Sequence, residues 1–198
     1  MVNGAVGNLN PLRTLQVLNS EFTTFNGAVT TGTSVVLTDT SRTIAFNSGL
    51  TTPTFTVAAE PFGLTVRGTI AVSNGINLAN TGELQLNGTL STNNQGITLG
   101  QTGQTTVLLA NTLLNSGTGT TTVNGSLSGS SYTLGFASPV HFSGNSTLTA
   151  STVTFDQAVT ASGNLVINGA TVVNGGSVDS GTYAQTYNAS VTVSGAAT

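Results

Sequence analysis

The sequence contains no cysteine, no lysine and only one histidine in 198 residues. Because cysteine is absent, disulfide bonds contribute nothing to stability, and the usual ligands of a zinc or haem site are missing. Because lysine is absent, lysine–asparagine isopeptide cross-links cannot form within the chain. We therefore expect neither a metal site nor a cofactor. Stability has to come from an apolar core and from backbone hydrogen bonds.

Charge is also scarce: 5% of the residues are charged, against about 25% in ordinary globular proteins. The cations are Arg13, Arg42 and Arg67, and the formal net charge is −3. Three scattered arginines cannot form a basic patch, so we expect no nucleic acid and no anionic membrane surface as a partner. No run of apolar residues is long enough for a membrane span. Residues 1–20 lack the apolar core of a signal peptide, so we expect any export signal to lie outside this sequence or to have been removed.

The sequence does contain a repeated motif: an apolar residue, a corner of the Asn-Gly type, a small residue and a second apolar residue. Asparagine tolerates the left-handed backbone region and glycine enters it freely, so this dipeptide turns an extended chain sharply. The first five copies follow one another at a nearly fixed interval of about 20 residues, which is typical of a solenoid. Clear copies begin at Val2, Phe25, Phe46, Val66, Leu86 and Val123, and looser ones at Phe155 and Tyr187.

Short segments of alternating apolar and polar residues lie between the corners. Leu64-Thr65-Val66, Ile76-Asn77-Leu78 and Leu84-Gln85-Leu86 are typical, and clusters of Gly, Asn and Ser separate such segments, as expected for short strands. We predict an all-β fold: a right-handed parallel β-helix, or β-solenoid, with about 20 residues per coil, about ten coils and no significant helix. Residues 1–198 form a single β-solenoid segment in this prediction. The alternative is an antiparallel β-sandwich.

The repeat also predicts part of the core. Phe25, Phe46, Val66, Leu86 and Val123 hold the same place in the motif. Residues at equivalent positions of stacked coils lie above one another, so we expect these five side chains to form one inward-facing column.

Six acidic residues are the candidates for chemistry. Asp156 and Asp179 are separated in sequence by about one coil, and Glu60 and Glu83 by the same interval. Two carboxyl groups about 5–9 Å apart can act as acid and base on a glycosidic bond. This spacing leaves open a carbohydrate-binding or polysaccharide-cleaving β-helix that uses Asp156, Asp179 and nearby Tyr or Asn side chains. Six acids spread over the whole chain favour solvated corner residues instead. We therefore assign no catalytic, cofactor-binding or metal-binding residue and expect a protein that is not an enzyme.

Other polar residues have plainer interpretations. His141 stands alone on a predicted strand, where a surface or packing role is the usual one. An ice-binding face would need Thr-x-Thr pairs at the same place on consecutive coils, and the spacing of the pairs does not provide that. The pairs considered for such a face are Thr31/Thr33, Thr54/Thr56, Thr147/Thr149 and Thr152/Thr154. Asn-x-Ser/Thr sequons, which leave glycosylation open, stand at Asn87, Asn124, Asn145 and Asn188.

Three segments resemble the repeats of giant bacterial surface proteins of the filamentous-haemagglutinin-like and autotransporter-like type. They are Val2-Asn3-Gly4-Ala5-Val6-Gly7, Thr24-Phe25-Asn26-Gly27-Ala28-Val29 and residues 185–193. The resemblance implies a right-handed β-helix, export across the outer membrane and an adhesive or fibre-forming role. The secretion-signal domain of that family is not recognisable here, because Asn10-Pro11-Leu12 is too short to count as its motif.

We therefore predict a non-catalytic structural β-solenoid unit of a secreted bacterial surface fibre or adhesin, located outside the cell or on its surface. Both ends of the sequence lie within the repeating pattern and lack a polar capping turn, which favours head-to-tail stacking of copies into a filament. The alternative is that the sequence is a segment of a longer chain whose neighbouring coils cap both ends. A second copy of the chain is the expected partner. A surface carbohydrate or a host surface is a further candidate partner.

Overall fold

A computed structural model of the chain describes residues 1–38 and 41–194, which contain 22 strands and no helix. The strands are β1 Leu12–Val17, β2 Phe22–Phe25, β3 Val29–Leu37, β4 Thr43–Phe46, β5 Leu50–Thr52, β6 Thr54–Val57, β7 Gly63–Arg67, β8 Ile70–Val72, β9 Ile76–Leu78, β10 Leu84–Thr92, β11 Ile97–Leu99, β12 Thr105–Asn115, β13 Thr121–Val123, β14 Ser126–Phe136, β15 Val140–Phe142, β16 Ser146–Phe155, β17 Val159–Ala161, β18 Leu165–Ile167, β19 Ala170–Val173, β20 Val178–Asp179, β21 Gln185–Tyr187 and β22 Val191–Val193.

The strands stack in three columns, which we call faces 1, 2 and 3 in the order in which each coil passes through them. On face 3, β1, β3, β6, β9, β11, β13, β15, β17 and β20 pair in parallel, one from each of nine coils. The long strands β10, β12, β14 and β16 run along face 1, round a corner and onto face 2. After the ninth coil, β21 and β22 add one further strand to faces 1 and 2.

The predicted parallel β-solenoid with coils of about 20 residues is thus confirmed. The alternative of an antiparallel β-sandwich is wrong, because every ladder between the strands described here is parallel. Short strands that alternate inward and outward residues explain the fold, since a period of two places each second side chain in the core.

The predicted core column is correct for four of its five members. Phe25, Phe46, Val66 and Leu86 pair in successive strands of face 1, and each is at most 3% exposed. Val123 does not belong to this column: it is buried in β13 on face 3. Its Asn-Gly copy forms the corner that leads from face 3 to face 1, whereas the earlier copies form the corner from face 1 to face 2.

Two aromatic clusters lie in the core, one near each end of the solenoid. Near the N-terminal end, Phe25 stacks on Phe46 with ring centroids 5.0 Å apart. Near the C-terminal end, Phe136 stacks on Phe155 at 5.3 Å, and Phe142 meets both rings edge-on at 5.9 and 6.5 Å. Offset stacks and edge-to-face contacts are the favourable geometries for such rings. Aliphatic side chains and the fully buried Phe62 fill the coils between the two clusters.

An asparagine ladder explains why asparagine occupies the corner between faces 1 and 2. The Nδ2 of Asn26 donates to Oδ1 of Asn3 at 2.9 Å, and the Nδ2 of Asn47 donates to Oδ1 of Asn26 at 2.8 Å. A second ladder lies near the other end, where Asn188 donates to Oδ1 of Asn168 at 2.7 Å. In each bond the amide points to the preceding coil. An amide is suited to this role because it carries both a donor and an acceptor.

Replacing Asn26 by aspartate tests the ladder. Asn26→Asp keeps the acceptor for Asn47 but places a carboxylate against Oδ1 of Asn3. We expect a loss of about 0.5–1.5 kcal/mol in the free energy of unfolding at neutral pH. The charged form is disfavoured in the folded state, so the pKa of the new carboxyl rises. The loss in the free energy of unfolding is therefore smaller below about pH 4, where the protonated carboxyl group can donate to Oδ1 of Asn3.

The measurement is denaturant unfolding of the variant and of the unchanged chain at pH 7 and at pH 3. Asn10→Asp is the control, because Asn10 is exposed and its side chain makes no hydrogen bond in the described residues. An equal effect of the two substitutions at both pH values would show that the ladder does not contribute.

Candidate functional site

The two acids of the proposed pair, Asp156 and Asp179, are not neighbours in the stack. Asp156 lies at the corner after face 2, and its Oδ1 accepts a hydrogen bond from Nδ2 of Asn174 at 2.7 Å. Asp179 lies in β20 on face 3, paired with Thr160. Its Oδ1 accepts from the backbone of Gly181 at 2.8 Å. The hypothesis that these carboxylates face each other across adjacent coils is therefore wrong.

Glu60 and Glu83 are also out of register. In the next coil Thr81 lies beside Glu60, and the backbone N–H of Thr81 donates to the carbonyl oxygen of Glu60 at 2.9 Å. The carbonyl oxygen of Glu83 instead accepts a hydrogen bond from the backbone N–H of Leu64, at 2.8 Å. The two acid pairs have the same spacing in the sequence, but the coils at both places are shorter than that spacing. The second acid of each pair therefore lies beyond the position that stacks on the first. In the described residues no three His, Cys, Asp or Glu side chains are grouped as a metal site would require.

His141 faces outward from face 3 and contacts hydroxyl groups of the next coil. Its Nδ1 lies 2.9 Å from Oγ1 of Thr160, and its Nε2 lies 3.5 Å from Oγ of Ser162. The Thr160 hydroxyl also lies 3.4 Å from the carbonyl oxygen of Val140 and can donate to it. His141 thus bridges two coils at the surface, as the plainer interpretation of a lone histidine predicts.

The Thr-x-Thr pairs lie on different faces, as their spacing predicts. Thr54/Thr56 is on face 3, Thr147/Thr149 on face 1 and Thr152/Thr154 on face 2. Thr31 is buried and donates to the hydroxyl of Thr52. Aligned rows of Thr-x-Thr pairs on consecutive coils are therefore absent from the described part of the chain.

The four sequons differ in how firmly their amide nitrogens are held. Nδ2 of Asn124 donates to the carbonyl oxygen of Gly100 at 3.0 Å, and Nδ2 of Asn188 belongs to the second asparagine ladder. Nδ2 of Asn87 and of Asn145 makes no hydrogen bond within residues 1–38 and 41–194. A glycan joins at this nitrogen, and Asn145 is the sequon asparagine that is both exposed and free of such a hydrogen bond within the described residues.

Both ends of the solenoid expose apolar side chains. At the N-terminal end these are Met1, Val2, Leu9 and Leu12, with Leu9 92% exposed. At the C-terminal end, β22 exposes Val191 at 45% and Val193 at 51%, although Val193 pairs with the buried Val173 of the coil below. Some of the exposed residues are thus the terminal members of side-chain columns whose other members, in the inner coils, are buried. Residues 195–198, the end of the repeating pattern in the sequence, lie outside the described residues.

Tyr187 marks the end of a face 1 column at the C-terminal end. It pairs with the buried Ile167, and its hydroxyl donates to Oε1 of Gln185 at 2.8 Å. Burial raises the pKa of the Tyr187 phenol above its ordinary value, and a tyrosine is neutral at physiological pH even without such a shift. This end face therefore combines apolar residues with a neutral phenol.

The corner between faces 1 and 2 lengthens in coils 6 and 7. In coil 5 one residue separates Leu86 from Gly88, whereas three residues separate their partners Leu108 and Thr112 in coil 6. The corner is longer still in coil 7 and contracts in coil 8. We call residues 109–111 and 130–132 the ridge. Tyr132 anchors it by packing against the core.

A groove of about 290 Å³ runs beside the ridge on face 2. Its floor follows one column through four coils: Thr89 pairs with Leu113, Leu113 with Gly135, and Gly135 with Thr154. The groove is lined by uncharged residues, which are Thr89, Asn111, Thr112, Leu113, Thr133, Leu134, Gly135 and Thr154. Leu113 and Gly135 form the apolar middle of the floor, with Thr89 and Thr154 at its two ends.

None of the protein-family models, curated proteins or solved structures compared with the chain matches it. The resemblance to bacterial surface repeats therefore stays a prediction. Within residues 1–38 and 41–194 there is no helix with the length and apolar character that a membrane span requires.

Sequence reasoning missed the ridge and the groove. The signal that could have found them is a gap in the repeat. After Leu86-Asn87-Gly88 the next two passages of this corner read Leu108-Leu109-Ala110-Asn111 and Gly129-Ser130-Ser131-Tyr132, without an Asn-Gly pair. In a repeat protein, extra residues at one corner of consecutive coils indicate a protruding loop on one side.

Proposed function

We propose that this chain is a non-catalytic structural unit of a secreted bacterial surface fibre or adhesin, and that its copies stack head to tail. The observation that carries the proposal is the exposure of core columns at both end faces, through Val2 at one end and Val191 and Val193 at the other. Exposed apolar ends and unpaired strand edges are stabilised by contact with another strand layer. The resemblance of the corner motifs to bacterial surface repeats supports the extracellular location.

The asparagine ladders support a head-to-tail arrangement. Every ladder bond points the same way, so Nδ2 of Asn3 at the first end is an unused donor and Oδ1 of Asn188 at the last end is an unused acceptor within the described residues. The two end faces therefore present complementary groups. Contact between different faces is a heterologous interface, which continues into a filament instead of closing. With a net charge of only −3, little repulsion opposes it.

The polysaccharide-cleaving alternative loses its main support, because Asp156 and Asp179 lie at different positions of their coils. The carbohydrate-binding alternative does not need paired carboxylates.

Analytical ultracentrifugation of the 198-residue chain at several concentrations tests the stacking. We expect the mean sedimentation coefficient to rise with concentration. Val2→Lys disables one end and Val193→Lys the other, because a lysine cannot be buried at an apolar contact without a large cost. Each variant alone is expected to stay monomeric, whereas a mixture forms dimers through the two intact ends. Thr56→Lys, on the outward side of face 3, is the control and should still assemble.

A chain that stays monomeric at every concentration would contradict the proposal. Homodimers in either end variant alone would contradict the head-to-tail geometry, because they would require like ends to meet.

A further inference from the structure

We propose that the groove beside the ridge binds a neutral oligosaccharide. The corner between faces 1 and 2 is short in coils 2 to 5 and grows in coils 6 and 7. The shorter corner is sufficient to build the solenoid, so the additional residues are not needed for the fold. Extra residues at one corner of consecutive repeats are often where such proteins bind.

The floor of the groove provides an apolar platform. Leu113 is 38% exposed, although it belongs to a strand. The next residue in its column is Gly135, and a Cβ at Gly135 would lie 3.0 Å from Cδ1 of Leu113. Leu113 therefore lies over a residue without a side chain, which leaves an open apolar surface. The C–H face of a sugar ring can pack on such a surface, as apolar groups generally do in ligand pockets.

The walls of the groove, and the threonines at the two ends of its floor, provide hydrogen-bonding groups that the fold does not use. Oδ1 of Asn111 accepts from the backbone of Thr133 at 2.9 Å, which leaves its Nδ2 as a free donor among the described residues. The hydroxyls of Thr89, Thr133 and Thr154 make no side-chain hydrogen bond within the described residues. Each hydroxyl can both donate and accept. A ligand with many hydroxyl groups satisfies this set.

The groove disfavours ligands that carry a charge. All eight lining residues are neutral, so an anionic or cationic ligand would lose hydration without gaining a partner. The volume of about 290 Å³ is close to the lower end for ligand pockets, roughly 300–1,000 Å³. Three coil steps of about 4.8 Å make the floor about 14 Å long. These dimensions suit a short stretch of an uncharged glycan aligned with the solenoid axis.

The test is a titration of the folded chain, followed by NMR, with neutral tetrasaccharides of glucose, galactose, mannose and N-acetylglucosamine. An oligogalacturonate of equal length is the charged comparison. We expect saturable binding of at least one neutral tetrasaccharide at up to about 10 mM, and binding of the oligogalacturonate at least tenfold weaker. Failure of all four neutral sugars to bind would overturn the proposal.

Variants locate the site. Gly135→Val fills the floor, and its Cβ meets the flexible end of Leu113 at 3.0 Å and the Thr112 carbonyl oxygen at an ordinary 3.9 Å, so the variant should fold and lose binding at least tenfold. Asn111→Asp keeps the acceptor for Thr133 but removes the donor, and a clear loss is expected there too. Thr51→Ala, also on face 2 but away from the ridge, is the matched control and should change affinity less than twofold. Circular dichroism verifies that each variant is folded.

A second groove of about 320 Å³ lies on the other side of the ridge and contains Thr147 on face 1. Loss of binding in Thr147→Ala with full binding in Gly135→Val would place the glycan there and overturn the present assignment. The inference deepens the adhesin part of the proposed function and rests on it. Glycan binding is nevertheless measured on dilute chain, so its failure is distinguishable from a failure to form filaments.

Discussion

Phe155→Ala is expected to lower the free energy of unfolding by about 3–5 kcal/mol. Phe155 is fully buried, stacks on Phe136 at 5.3 Å and meets Phe142 edge-on at 6.5 Å. Truncation removes the buried ring, both aromatic contacts and the filling of a column that continues into the coils on either side. The neighbouring rings are held by strand pairing, so they cannot close the cavity fully.

Denaturant unfolding followed by circular dichroism measures this loss. Phe22→Ala is the matched control, since Phe22 is also a phenylalanine on a strand but is 60% exposed. Its truncation is expected to cost less than about 1 kcal/mol. Equal losses for the two variants would contradict the assignment of Phe155 to a closed core column.

Gly88→Ala is expected to cost about 2–5 kcal/mol in total. Gly88 has a φ of +106°, and a Cβ there would lie 2.4 Å from the carbonyl oxygen of Gly68 on the coil below. The left-handed backbone costs a residue with a side chain about 1–2 kcal/mol, and crowding against the backbone adds about 1–3 kcal/mol. The stacked coils cannot move apart to relieve the contact, because parallel ladders hold them at a fixed distance.

Two other glycines separate these contributions. Gly103 has a φ of +78°, but a Cβ there would meet nothing within 4 Å. Gly103→Ala should therefore show only the backbone cost, about 1–2 kcal/mol. A Cβ at Gly4 also meets nothing within 4 Å, and Gly4 is not among the positive-φ glycines, so Gly4→Ala should be nearly neutral. The free energies of unfolding of the three variants are compared under one condition. The same loss at Gly103 and Gly88 would show that coil contact does not matter.

The sequence predicts the architecture because the solenoid is built from local patterns. The motif at Phe25, Phe46, Val66 and Leu86 recurs at the same corner, so its period equals the coil length and its apolar residues form one column. Val123 breaks the rule because an Asn-Gly turn suits any corner of a coil. A local motif predicts that the chain bends, but it does not predict which two faces the bend connects.

Coil length is the other quantity that the sequence left open. On face 3, Ile97 pairs with Thr121, whereas Val140 pairs with Val159, so the first of these coils is several residues longer than the second. A fixed repeat length therefore assigns wrong neighbours, as it did for Asp156 and Asp179. The groove depends on the same variation, because it forms where one corner gains residues while the strands stay in register. Such a change leaves the strand pattern intact and is hard to recognise without the structure.

The pairing of each strand with strands only one coil away has a consequence for how the chain acquires its structure. Every ladder connects residues roughly 20 positions apart, so a new coil needs only the coil before it as a template. Ordering can begin as soon as two coils are available and then advance along the chain in one direction. The loop closed at each step stays equally short, so the entropic cost of adding a coil does not grow with length. A chain that emerges gradually from a narrow opening, one end first, can therefore fold as it appears, and each newly folded coil hinders its return.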